Sequence, residues 1–268
     1  MTGKPVKAAA RDAEASTPLR ALARGGYAAN GVMHVLIGTI ALAIAFGGQG
    51  EGDQSGAFRA IGDAPLGFLA LWLLAVLLWA LGVWHLVAGV AVSRRSDVKK
   101  WAVRVAEFGQ AIVFVALGVI SASVALGARP DAEQTAEDAS RGVLAIPGGA
   151  VLLGAVGLGI GIGGIAFVVM GVRRSFRSKV AIPPGRLGRA VTVLGVIGFI
   201  AKGVSLAIIG VLLVVAAVTV DPAAAGGLDG AIDALLGVVG GPFLVGFVGA
   251  GFVAYGVFCF FRARYAKL

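Results

Sequence analysis

Residues 27–47 read YAANGVMHVLIGTIALAIAFG, and this stretch decides the fold. It holds no Asp, Glu, Lys or Arg, and it begins just after Arg20 and Arg24. As a helix rising 1.5 Å per residue it runs roughly 31 Å, matching the ~30 Å hydrocarbon core of a bilayer. It also recurs. Residues 30–38, NGVMHVLIG, are echoed by 110–118, QAIVFVALG, and by 202–210, KGVSLAIIG. Each copy opens on a polar residue and a small one (Gly31, Ala111, Gly203), then runs apolar to a glycine. A chain with three such copies is expected to be three two-helix membrane units.

The partner helix of each unit recurs as well. Pro65, Pro147 and Pro242 stand at or near its start, where proline lacks only a donor that would be orphaned anyway. Gly82, Gly164 and Gly256 lie near its later part. Six spans follow, at about 25–47, 65–92, 104–127, 147–172, 195–219 and 242–261. A sheet would leave open edges that lipid cannot satisfy. Short amphipathic pieces at 57–61 (AFRAI) and 228–236 (LDGAIDALL) are expected as brief helices on the membrane surface.

Composition agrees. The 268 residues are 58% hydrophobic and 14% charged, with net charge +9. The basic residues sit in short segments between apolar runs, which excludes the solvated basic face of a nucleic-acid binder. Arg94, Arg95, Lys99 and Lys100 occupy one connection, and Arg173, Arg174, Arg177, Lys179, Arg186 and Arg189 another. Arg262, Arg264 and Lys267 end the chain. The intervening connections hold Glu51, Asp53 and Asp63, then Asp131, Glu133, Glu137 and Asp138, then Asp221, Asp229 and Asp233. Basic and acidic connections alternate throughout. The Lys/Arg excess therefore puts both termini in the cytoplasm of a multi-pass cell-membrane protein. Anionic lipid headgroups at the cytoplasmic face are the expected partners.

Residues 1–23 are polar and expected as a flexible cytoplasmic tail. Repeat one then covers 24–95, repeat two 96–177 and repeat three 178–268. The fold class is all-α, a polytopic membrane protein of six helices. Each repeat has an even number of spans, so the three point the same way, with a pseudo-threefold about the membrane normal. Ala43-Ile44-Ala45 has the form of a signal-peptidase site, but the same helix type recurs uncleaved at Gln110 and Lys202. The single cysteine, Cys259, permits no intrachain disulfide and is expected to pack as a small apolar residue.

The pattern YAANGVMHVLIG, with its echoes IAKGVSLAIIG at 200–210 and AYGVF at 254–258, resembles the actinobacterial family of domain of unknown function 1206. The resemblance covers most of residues 20–265. It implies a six-span membrane protein built from three two-helix repeats, and it implies no activity. Of the basic residue usual after the Tyr-Ala-Ala-like segment, only Lys202 remains here; Asn30 and Gln110 depart from it.

Asn30, Gln110 and Lys202 form the first candidate cluster, at matching positions of the three repeats. Glu107 lies one turn before Gln110 and is placed to pair with Lys202, since a charge within lipid needs a partner or water. The blander reading has these residues snorkelling and bonding neighbouring helices. His34 and His85 sit at similar depth from the basic ends of their helices. Paired imidazoles on membrane helices can ligate haem iron or relay protons. Their equivalents are Phe114 and Leu206, and Phe167 and Cys259, which favours structural histidines. Gly159, Gly161 and Gly164 make a formal GxGxxG, but it lies inside a span, with no strand before it or acid after it. Close helix packing is the better reading, through Gly157/Gly161, Gly159/Gly163 and Gly246/Ala250/Ala254, with helices four and six making the tightest contacts.

No nucleophile–base pair stands out, and no metal spacing or cofactor is indicated. The leading expectation is a non-catalytic membrane scaffold or accessory subunit, as a homo-oligomer or with a membrane protein partner. The alternatives are a carrier or channel for a small solute or ion, and a haem-bearing electron-transfer protein using His34 and His85.

Overall fold

The computed structural model describes residues 8–10, 12–13, 16–92 and 96–267. Lys4, Lys7, Arg11, Glu14, Arg94 and Arg95 lie outside the described residues. Six helices are long and apolar enough to cross a membrane: α1 (Thr17–Ala45), α3 (Gly67–Ala91), α4 (Asp97–Ala125), α6 (Gly149–Val172), α7 (Gly185–Thr219) and α9 (Gly241–Tyr265). Between them come α2 (Gln54–Gly62), α5 (Ala132–Leu144) and α8 (Leu228–Leu236). No strand occurs among the described residues. The chain is an all-α, multi-pass membrane protein.

Several boundaries differ from the sequence reading. Residues 17–23, expected in the flexible tail, are the first turns of α1, while α4 begins at Asp97 and α7 at Gly185. The 35 residues of α7 run about 52 Å, well beyond the hydrocarbon core. Lys and Arg are good helix formers that lay their stems along the helix. Charge therefore ends an apolar run without ending the helix. The element α5 was missed although its start is written in the sequence: Asp131 accepts a hydrogen bond from the Gln134 amide at 3.0 Å, in an Asp-x-x-Gln capping box.

The second helix of each repeat is entered the same way. Leu66, Gly148 and Gly240, at equivalent positions, have φ of 62°, 77° and 79°. This left-handed residue turns the chain off the surface helix, and only Leu66 carries a Cβ there, a conformation that costs an L-residue about 1–2 kcal/mol. Pro65 and Pro147 precede this residue; Pro242 instead lies inside the first turn of α9.

The chain divides into two compact units, one of Met1–Asn30, Ile61–Ala128 and Cys259–Leu268, the other of Gly31–Ala60 and Arg129–Phe258. In the first, α3 packs on α4. A Cβ on Gly82 would lie 3.3 Å from the Ala111 carbonyl oxygen, and one on Gly118 would lie 3.1 Å from that of Ala75. In the second, α6 packs on α7. A Cβ on Gly164 would meet the Gly203 oxygen at 2.6 Å, and one on Gly210 would meet the Gly157 oxygen at 2.7 Å. Also in the second unit, Gly256 of α9 faces the Gly31 oxygen at 2.6 Å, and Gly38 of α1 faces the Gly249 oxygen at 2.5 Å. These are one seam made three times, with the second helix of a repeat against the first helix of another. Glycine lets the backbones meet, as dispersion packing in lipid requires. The α3/α4 seam is wider at Gly82 because Ala111 stands where the others have Gly31 and Gly203.

The sequence reading of the glycine stripes needs correction. Gly157, and the backbone of Gly161, lie in the α6/α7 seam, but Gly159 and Gly163 have nothing within 4 Å. On α9 the seam uses Gly249 and Gly256; Gly246 meets only the Ala45 methyl at 3.7 Å, and Ala250 is exposed. On a helix rich in small residues, spacing alone does not choose between adjacent stripes.

Candidate functional site

Each unit holds polar groups inside its spanning helices. In the first unit, His85 of α3 and Glu107 of α4 are 2% and 9% exposed, with Nδ1 and Oε2 2.7 Å apart. An ionised carboxylate only accepts, so with Glu107 charged the Nδ1–H is the donor of this bond. Phe114 stacks on the imidazole at 5.4 Å, and Tyr27 stands edge-on to it at 6.4 Å. The Tyr27 hydroxyl accepts from Arg262 at 3.1 Å, and the same guanidinium lies 4.1 Å over the Tyr27 ring, which is cation–π range. Asn30 donates to Cys259 Sγ at 3.4 Å, both groups buried. Cys259 is thus an acceptor as well as a packing residue.

In the second unit, Lys202 Nζ of α7 lies 3.2 Å from His34 Nε2 of α1. An ammonium has donors only, so with Lys202 charged Nε2 is the acceptor of this bond. The Tyr255 and Phe167 rings face Lys202 at 4.7 and 5.6 Å, and Tyr255 also packs on His34 at 4.7 Å. Gln110 is engaged differently from Asn30 and Lys202: it turns back to the Ala106 carbonyl of its own helix at 3.3 Å. Glu107 is bonded to His85. The structure thus splits the polar trio among three kinds of partner.

Comparing the seams shows what sequence reasoning missed. Three residues beyond Gly82, Gly164 or Gly256 on one helix, and four before the facing Ala111, Gly203 or Gly31 on the other, each seam has a matching position. In the α3/α4 seam this position holds His85 and Glu107. In the α6/α7 seam it holds Phe167 and Phe199, with rings 5.6 Å apart and 24° from parallel. In the α9/α1 pair it holds Cys259 and Tyr27. The available signal was the offset that aligns the three copies, applied to both helices of a seam together.

The midplane polar residues are satisfied locally. Ser121 donates to the Leu71 carbonyl at 2.8 Å, Thr39 to Leu36 and Ser123 to Ile120. Outside the spanning helices, Asp53 caps α2 by accepting from the Gly56 amide, and Asp229 of α8 accepts from the Gly52 amide in the connection before α2, both at 2.9 Å. Burial pushes the Asp53, Asp229 and Glu133 carboxyls above the usual range. The Gly56 and Gly52 amides oppose the shift in the first two, while the neighbouring acids add to it in all three.

Three stretches of the chain, 25–91, 107–174 and 197–266, match the profile of a family described as Domain of Unknown Function (DUF1206). Each contains a pair of spanning helices. An uncharacterized protein of Bacillus subtilis (strain 168), YxxB, is 25% identical over 260 residues, covering 93% of this chain and 92% of its own. No solved structure matches.

Proposed function

The chain belongs to the DUF1206 family, whose description carries no activity, and from that premise we propose a non-catalytic scaffold or accessory subunit of the cell membrane, with α6 as the helix that receives a partner. The carrying observation is the outer stripe of α6. This helix is the least enclosed of the six, with 17% of its apolar stretch buried against 56% for α9. Its Gly159 and Gly163 nevertheless meet nothing within 4 Å, and Ala155 one turn earlier is exposed. Glycine in a helix costs about 1 kcal/mol relative to alanine and offers lipid no side chain. Small residues at this spacing let a second helix approach closely. Native mass spectrometry of gently extracted protein tests the proposal. A bound membrane protein or second copy is expected, lost in Gly159→Leu/Gly163→Leu at unchanged thermal stability. A bare monomer, or a variant that keeps the added mass, refutes it.

The same proposal places both termini in the cytoplasm, supported by the alternation of basic and acidic connections. Cysteine substituted for Gln134 is expected to label from outside intact cells, and cysteine substituted for Ser178 only after lysis.

A second reading, a proton-linked carrier of a small ion or solute, is favoured by the His85–Glu107 pair. The matching position of the α6/α7 seam is filled by two phenylalanines, so the seam itself does not demand charge there. Ionisable groups within a membrane are costly and mark proton or ion paths. Reconstituted vesicles with an internal pH dye would show a flux that His85→Phe/Glu107→Phe abolishes.

A further inference from the structure

We propose that the α6/α7 pair carries a binding site for an anionic phospholipid, with one acyl chain in an aliphatic groove and the phosphate on the basic turn that follows α6. The groove is about 360 Å³ in volume and lined by Ile165, Val168, Val204, Ala207, Ile208 and Val211. These side chains offer no hydrogen-bonding group, which suits a hydrocarbon chain. Its occupant is identified by what lies at one end.

Val168 is five residues from Arg173, about 7.5 Å along the helix, and Ile165 is about 12 Å from it. One leaflet of a ~30 Å hydrocarbon core is ~15 Å deep. A chain anchored at Arg173 therefore passes through the groove. Arg173, Arg174 and Arg177 are all exposed, and no acidic residue occurs between Val172 and Thr219. Arg186 begins the same face of α7 that, at 100° per residue, continues through the exposed Val193 and Ile197 to Val204 and Val211.

The turn is pinned in place. Phe176 is 2% exposed and stacks on Phe199 at 5.1 Å and edge-on to Phe258 at 5.2 Å. A Cβ on Gly195 would meet its ring at 2.6 Å, so the ring sits hard against the α7 backbone. The chain enters the turn through Arg174 at φ 54°. Arg173 and Arg177 flank this anchor and are exposed, and each guanidinium can fork onto phosphate oxygens.

The test is native mass spectrometry of delipidated full-length protein. It is mixed with equal amounts of phosphatidylglycerol and phosphatidylcholine of the same chain length. Wild type is expected to retain one phosphatidylglycerol in preference to phosphatidylcholine. A basic residue near an anionic surface contributes about fivefold, so Arg173→Gln/Arg177→Gln is expected to lose about twenty-five-fold in that preference. Arg173→Lys/Arg177→Lys should keep most of it. Ile208→Trp, which fills the groove from a half-buried position in its lining, should lower retention of the bound lipid with the helical circular dichroism unchanged. Equal retention of the two lipids by wild type, a glutamine variant that keeps the preference, or a folded Ile208→Trp that binds as wild type would each overturn the proposal.

Discussion

Replacing His85 and Glu107 together by phenylalanine should be far milder than replacing His85 alone. The pair is 2% and 9% exposed and joined at 2.7 Å. His85→Phe leaves the carboxylate without that donor in an apolar interior, and breaking a buried pair from one side costs about 3–5 kcal/mol. The double substitution removes both polar groups and installs the residues of the α6/α7 seam, where Phe167 and Phe199 stack at 5.6 Å. Exchanging a buried pair for packed apolar residues is often neutral or stabilising by 1–4 kcal/mol, roughly offset by ~1–3 kcal/mol for the added ring volume. The wider approach at Gly82, 3.3 Å against 2.6 Å at Gly164, gives room for that volume. The double variant should therefore lie within about 2 kcal/mol of wild type, and a double-mutant cycle should show coupling of about 2 kcal/mol or more. Equilibrium unfolding in mixed detergent micelles, followed by tryptophan fluorescence, reads this directly. A double variant as unstable as the single one would refute the equivalence of the seams and show that the charge pair is needed for folding.

The seams make a sharper prediction about glycine. Gly164→Ala puts a Cβ 2.6 Å from the Gly203 oxygen and should cost about 1–3 kcal/mol, while Gly159→Ala meets nothing and should leave thermal stability unchanged or slightly raised. Leu66→Gly should stabilise by about 0.5–1 kcal/mol, read as a rise in midpoint, by relieving the left-handed backbone of an exposed side chain. The surface carboxyls give a pH dependence. Asp53, Glu133 and Asp229 have raised values in the folded state, so the native protein binds more protons than the unfolded chain. Their contribution is fully present below the ordinary carboxylate range and is lost as pH rises through the raised values. Asp229→Asn keeps an acceptor for the Gly52 amide and should melt above wild type at pH 7.5, with the gap closing toward pH 4; a gap independent of pH would contradict the linkage.

The intramembrane contacts were the least legible part of the chain. Asn30, Gln110 and Lys202 align in sequence, yet one bonds a thiol, one its own helix and one a histidine. Alignment sets a position along a helix, while partner choice depends on which side chains the neighbouring helix brings to that height. The glycine stripes failed in a related way. Gly157 and Gly159 differ by two residues, hence by 200° around the helix, and only the neighbouring helix shows which of the two faces protein.

What the sequence alone determined was the membrane class, the count of six spans and the threefold repetition. Lipid forces every backbone group to be satisfied within its own segment, so length, apolarity and recurrence suffice for those. The seam register, the His85–Glu107 and Lys202–His34 pairs, and the pinning of the basic turn by Phe176 were decided only by tertiary structure. They depend on the approach of residues as far apart as Gly31 and Gly256, at distances that glycine permits and no local pattern encodes.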